Sequence, residues 1–346
     1  MYFVRLVLPF FSHPQKNRSM SKTHVLIVNL GSPDDTSVPA VRRYLAEFLS
    51  DKRVVDLPRW QWWPILHGII LRTRPAKTAA SYQQIWTATG SPLVVTTRKQ
   101  AQLLGQRFVN DGVSVHYAMR YGNPSIGSVL NDIITDDCDH LLVFPLYPQY
   151  SRTTVETVRD KVTLELAKRS FHFSVDHIDS YYNNEGYIQA MADHIRNFQA
   201  QYEQPDKLIF SYHGIPKRYA ENGDVYPQHC HETTRLLVEK LGLSPSQYLT
   251  TFQSRFGREE WLQPYTDETL KALAQKGDKI VHVLSPAFSA DCLETLEELE
   301  VENRGYFEKN GGKIYRYIPA LNDDERHIDV LESIIRQRLS TRNGNA

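Results

Sequence analysis

Short apolar, β-branched runs alternate with longer amphipathic stretches along most of this chain. Residues 24–30 (HVLIVNL), 113–119 (VSVHYAM), 140–145 (HLLVFP) and 172–178 (HFSVDHI) read as buried strands. A second set lies at 206–212 (DKLIFSY), 247–253 (QYLTTFQ), 279–284 (KIVHVL) and 313–318 (KIYRYI). Between them, apolar residues recur at helical spacing in 93–110, 153–168, 184–202, 229–241 and 291–309. This alternation predicts an α/β protein with doubly wound parallel sheets covered on both faces.

The two sets also match in sequence. VLIVNLGSP (25–33) parallels LIFSYHGIP (208–216), MRYG (119–122) parallels SRFG (254–257), and YSRTTVETV (150–158) parallels FSADCLETL (288–296). Three matches in one order indicate an internal duplication. One half spans 22–180 and the other 183–320. An extension, 1–21, precedes them, and a helix at 323–340 is expected to pack back across both. Gly31 and Arg120 are 89 residues apart, whereas Gly214 and Arg255 are 41 apart, which predicts an insertion of 48 residues in the first half. The segment 51–92 is rich in Trp, Leu and Ile and is the candidate. It is either a helix pair packed on the core or an aromatic lid over a large flat ligand.

Composition narrows the function. Forty acidic and forty basic side chains give zero formal net charge, which argues against nucleic acid as the main partner. With 41% hydrophobic residues the chain can bury a full core. Cys138, Cys230 and Cys292 are too scattered for a disulfide framework and fit a reducing compartment. No run reaches the roughly 20 apolar residues of a membrane span. The opening MYFVRLVLPFF is broken by Arg5 and Pro9 and is not expected to be a signal peptide. A cytoplasmic protein with at most peripheral membrane contact through the apolar segment 60–71 is expected.

Reactive groups in open α/β sheets lie just beyond the strand ends. His213 occupies the place of Leu30 in the other half, so a polar imidazole replaces an apolar side chain at an equivalent strand end. Asp291, Glu294 and Glu298 fall within roughly 60° of one helix face at α-helical spacing. They are either a solvated acidic face or a row of hard oxygen ligands that passes on a divalent cation. No phosphate-cradling glycine motif follows any strand. In His229-Cys230-His231, adjacent side chains point apart, which argues against a metal site. A histidine and a carboxylate beside a wide aromatic insertion point to metal chemistry on a planar apolar ligand.

The motifs NLGSP (29–33), TGSPL (89–93), RYGNP (120–124), FPLYPQYS (144–151), SYHGIP (211–216), YPQ (226–228), SRFG (254–257), EWLQPYTDE (260–268) and FSADCLETLEEL (288–299) carry a further signal. Through them, from about residue 24 to 335, the sequence resembles the ferrochelatase family of bacterial type. The resemblance implies two similar Rossmann-like domains with a porphyrin in the cleft between them. It implies His213 as the active-site histidine and Glu294 as the metal-side glutamate, with Asp291 and Glu298 continuing the acidic row. Arg120 and Tyr121 are implied near the porphyrin on the opposite side. Tyr82, Ser91, Trp261 and Phe288 match pocket-lining positions, and the insertion matches an active-site lip. The implied reaction turns protoporphyrin IX and ferrous iron into protoheme, with no tightly bound cofactor. Cys292 stands where animal members carry a second histidine. Three cysteines cannot hold a four-thiolate iron–sulfur cluster, so none is expected. Coproporphyrin as the substrate, a cobalt or nickel chelatase, and a non-catalytic tetrapyrrole carrier are the alternatives.

Overall fold

The computed structural model describes residues 22–344, so the extension at 1–21 lies outside the described residues. Eight strands form two four-stranded sheets in which every pairing is parallel. Strands β1 (Thr23–Ser32), β2 (Val113–Gly122), β3 (His140–Pro145) and β4 (Ser174–His177) run in the order β2-β1-β3-β4. Strands β5 (Lys207–His213), β6 (Tyr248–Gln253), β7 (Ile280–Leu284) and β8 (Ile314–Tyr317) repeat it as β6-β5-β7-β8. The duplication is therefore a duplication of topology. All six residues of β3 are buried, as befits a parallel strand covered on both faces.

Alternate side chains of β1 enter different cores. Leu26 and Val28 pack with Ile126, Leu130 and Val158 within the first half. Val25 and Ile27 share a cluster with Phe210 and Tyr212 of β5 and Ile335 of the last helix, Glu325–Gly344. That period-two division joins the halves through one common core.

The strand registers correct one detail of the sequence repeat. Asn29 lies opposite Met119, and Tyr212 lies opposite Phe252. The Met119 amide donates to the Pro124 carbonyl at 2.7 Å, and the Phe252 amide donates to that of Pro264 at 2.8 Å. Met119 thus corresponds to Phe252 and Arg120 to Gln253, two positions before the MRYG/SRFG match. The error arose because a longer loop follows β6 and carries a similar tetrapeptide by itself. Gly31 and Gly214 do correspond. A Cβ on Gly31, whose φ is +107°, would collide with the Tyr121 carbonyl, and one on Gly214 would lie 2.8 Å from that of Gln253.

The insertion builds the helices Arg59–Ile65 and Leu71–Ile85, joined through π-helical turns at Leu66–Ile70. Pro64 and Pro75 interrupt the regular hydrogen-bond ladder on either side of the π turns. Trp62, Leu66, Leu71 and Tyr82 are buried against Val41, Tyr44 and Leu45. Burial of such side chains, roughly 1.5 to 3 kcal/mol each, holds the lip to the first half. Trp60, Trp63, Ile65 and Ile69 on the other side stay exposed.

Candidate active site

The carboxyl ends of β1, β3, β5 and β7 face a cleft between the halves. It encloses about 1030 Å³ of empty space, part of it open to solvent. Leu30, Tyr147, His213, Trp261, Phe288, Cys292 and Glu294 are among its lining residues.

His213 is the last residue of β5 and is half-buried. Its Nδ1–H donates to the Gly214 carbonyl at 2.7 Å. That bond places a proton on Nδ1 and orients the ring, and Nε2 has no hydrogen-bond partner among the described residues. Glu294 enters the same cleft from β7's side. No nitrogen or oxygen donor among the described residues takes up its carboxylate, although its backbone carbonyl accepts from Gln253 Nε2 at 2.9 Å. Cys292 lies beside it. Burial, reinforced by the neighbouring Glu294 charge, pushes its thiol well above the ordinary range.

The helix that starts at Glu294 is not α-helical as its spacing had suggested. Residues Glu294–Asn303 wind as a π-helix. Its carbonyls at 294, 298, 299 and 300 accept from Gln253, Asn303, Tyr315 and Arg304 side chains. These donors support a winding that backbone propensity alone disfavours. At about 4.4 residues per turn, four-residue spacing still keeps Glu294, Glu298 and Glu302 in one row.

Asp291 does not belong to that row. It is buried before the helix begins, where Oδ1 accepts from Tyr317 Oη at 2.6 Å, Thr295 Oγ1 at 2.9 Å and the Ala320 amide at 3.2 Å. Its Oδ2 accepts from Asn322 Nδ2 at 2.7 Å. The expectation of a three-carboxylate row therefore gives way to an anchor plus a row starting at Glu294. Glu298 points into a second, open pocket shared with Arg255, Asp267 and Glu302. Ser254, with φ at +66°, donates to it through its amide at 2.8 Å and through its hydroxyl. Burial outweighs these bonds and pushes the Glu298 carboxyl up to about 7.

Four expected pocket residues sit behind the wall instead of on it. Arg120 pairs with Asp51, donates to the Thr157 carbonyl at 2.8 Å and lies 4.3 Å over the Tyr121 ring. Tyr121 is buried under Phe48, and its hydroxyl donates to Asp51 at 2.9 Å. Tyr82 packs edge-on against Tyr44 and Trp86. Ser91 is buried with its hydroxyl 2.7 Å from that of Ser32. His229, Cys230 and His231 diverge: His229 stacks on Tyr182, Cys230 is buried, and His231 meets Phe252 edge-on.

A family model described as Ferrochelatase matches residues 22–339. The chain belongs to the ferrochelatase family. A ferrochelatase of Marinobacter nauticus is 51% identical over 319 residues, covering 91% of this chain and 86% of that protein. One from Vibrio parahaemolyticus is 48% identical, covering 93% of this chain and all of the relative. Among solved structures, SirB from Bacillus subtilis with Fe3+ shares the fold at a TM-score of 0.56 and 10% identity, covering 93% and 98% of the two chains. The family's place in heme synthesis is thus this chain's own.

Within this ferrochelatase-family cleft, Phe48, Val54 and Tyr219 also line the wall, and so does Tyr226 of the YPQ motif. Phe48, Val54 and Tyr219 come from segments distant in sequence, and no local pattern marks them as pocket residues. Asn29 was more legible, being a polar residue within an apolar strand. Its amide donates to Thr97 Oγ1 at 3.2 Å and Ser289 Oγ at 3.3 Å, tying the strand end to the opposite half.

Proposed function

We propose that the chain is a lyase that inserts ferrous iron into protoporphyrin IX, with His213 and Glu294 on the reacting centre. The observation that carries this reading is the convergence of both side chains on one aromatic-walled cleft, with His213 Nδ1 tied to the Gly214 carbonyl. Two pyrrole protons must leave as the ion enters. Neutral imidazole can accept them in turn, and it can also touch the entering iron. Glu294 supplies an oxygen ligand from the strand end next to that of His213, and Glu298 extends the carboxylate row toward solvent. Phe288, Trp261 and Tyr147 sandwich the macrocycle and favour a bent ring that exposes its nitrogen lone pairs.

Two features favour protoporphyrin over the more acidic coproporphyrin. The cleft lining is largely apolar, and the rim cations Lys217 and Arg218 already pair with Glu260, Asp56 and Glu259. We further place the protein in the cytoplasm with peripheral membrane contact through the lip, where Trp60 is 76% exposed and Arg59 and Arg72 flank it. Among the described residues no helix is long and apolar enough to cross a membrane.

The test is anaerobic mixing of pure protein, ferrous iron and protoporphyrin, with coproporphyrin in parallel, followed by visible spectroscopy. Many turnovers per protein support the enzyme, whereas one equivalent supports a carrier. His213→Ala should bind porphyrin yet lose at least a hundredfold in turnover; near-normal turnover would remove His213 from its role. Vesicle flotation of the Trp60→Ser/Trp63→Ser variant checks the membrane contact, which is wrong if binding does not fall.

A further inference from the structure

A buried carboxylate that the chemistry above does not use lies behind the cleft wall, bonded to the lining residues Ser151 and Tyr226. Asp224 sits in the loop before the helix Tyr226–Leu241 and is 1% exposed. Its Oδ2 accepts from Ser151 Oγ and from the Arg152 amide, both at 2.9 Å. Its Oδ1 accepts from the Tyr226 amide at 3.1 Å, and its own amide donates to the Tyr219 carbonyl at 3.0 Å. Among the described residues no Lys or Arg lies within ion-pair distance of it. A buried charge without a counter-ion persists only where hydrogen bonds satisfy it, and here three donors do so.

Those donors belong to different walls. Ser151 comes from the segment that leaves β3 in the first half, and Thr153 beside it donates its amide to Ser151 Oγ at 3.1 Å. Tyr226 belongs to the second half. Ser151, Thr153, Tyr219 and Tyr226 all line the cleft. One side chain therefore ties both walls, and it fixes their separation where a flat ring must be gripped.

We propose that Asp224 is a positioning residue for iron insertion, setting the cleft width that holds the porphyrin bent. This inference rests on the reading of the cleft as the porphyrin site. Ring distortion needs walls that do not yield, and displacement of a positioned group by about 1 Å can cost about a hundredfold in rate. Asp224→Asn keeps the volume but turns one acceptor oxygen into a donor, which must then face an amide or hydroxyl that also donates. Ser151→Ala removes only one of the three bonds.

The experiment compares wild type, Asp224→Asn and Ser151→Ala in anaerobic steady-state insertion, with KM for porphyrin and for iron measured separately. Thermal melting and the out-of-plane Raman bands of bound porphyrin are recorded alongside. Asp224→Asn should lose about ten- to a hundredfold in kcat. Its KM for iron should hold, and its out-of-plane bands should weaken. Ser151→Ala should show smaller changes in the same direction, and it decides the matter if Asp224→Asn does not fold. Wild-type kcat and Raman bands in a folded variant overturn the inference. So does a loss accounted for wholly by the unfolded fraction. If wild type itself inserts no iron, the reading of the site falls and takes the inference with it; if only the variants match wild type, the inference alone falls.

Discussion

Glu298→Gln separates burial from charge on the π-helix. In the native protein the carboxyl is pushed from its ordinary 4.5 up to about 7, chiefly by burial. A raised acid favours the native state most at low pH. Below pH 4.5 it is protonated in both states and carries no ionisation penalty. As pH rises to about 7 the unfolded chain ionises first, and the native state loses stability. The full shift corresponds to about 3 kcal/mol, an upper figure because the second pocket keeps the side chain partly open to water. About 2.5 kcal/mol of it falls between pH 5 and pH 8. Glutamine cannot ionise, and it gives up one acceptor to Ser254 at every pH. That lost bond cancels when the two pH values are compared, as do the other titrating groups. Urea denaturation at pH 5 and pH 8 should therefore show wild type losing about 2.5 kcal/mol more than the variant as pH rises. Equal pH dependence in the two proteins would refute the reasoning.

Further predictions concern the wall of the cleft. Arg120→Ala leaves Asp51 buried without its cation and should cost about 3 kcal/mol in urea denaturation; a raised porphyrin KM at unchanged stability would instead make Arg120 a ligand contact. Asp291→Ala strips three donors of their acceptor at Oδ1 and should destabilise the protein by about 3 kcal/mol. Iron KM should then shift only through loss of folded protein, which melting-corrected kinetics check. Tyr219→Phe removes the hydroxyl that accepts from the Asp56 amide at 3.1 Å and donates to the Val54 carbonyl at 3.2 Å. Losing that strap across the cleft mouth should speed porphyrin dissociation in stopped-flow fluorescence by roughly five- to tenfold at about 1 kcal/mol; unchanged dissociation would mean that the strap does not gate the cleft.

The strands and their order of burial were legible because the apolar period is a local property. Leu26 and Val28 on one face and Val25 and Ile27 on the other are written directly into VLIV. His213 was legible through its contrast with Leu30. Asp291 was misplaced because spacing assumes a helix that begins later than expected, and Arg120 because no local pattern discloses Asp51, 69 residues away. The MRYG/SRFG pairing misled for a related reason: similarity of letters does not report which residues share a strand register.

The alternation of apolar runs determined that this chain is an α/β protein, since each parallel strand needs a hydrophobic face on both sides, and the motifs shared by its halves determined that it is a duplicated one. The strand-end rule then determined that its reactive residues gather just beyond the carboxyl ends of the strands. Only the tertiary structure decided which of them enter the cleft. A side chain's direction depends on the partners that claim it, and Asp51, Tyr317 and Ser254 claim Arg120, Asp291 and Glu298. The π winding was likewise decided in three dimensions, because its carbonyls are satisfied by side chains from elsewhere in the fold.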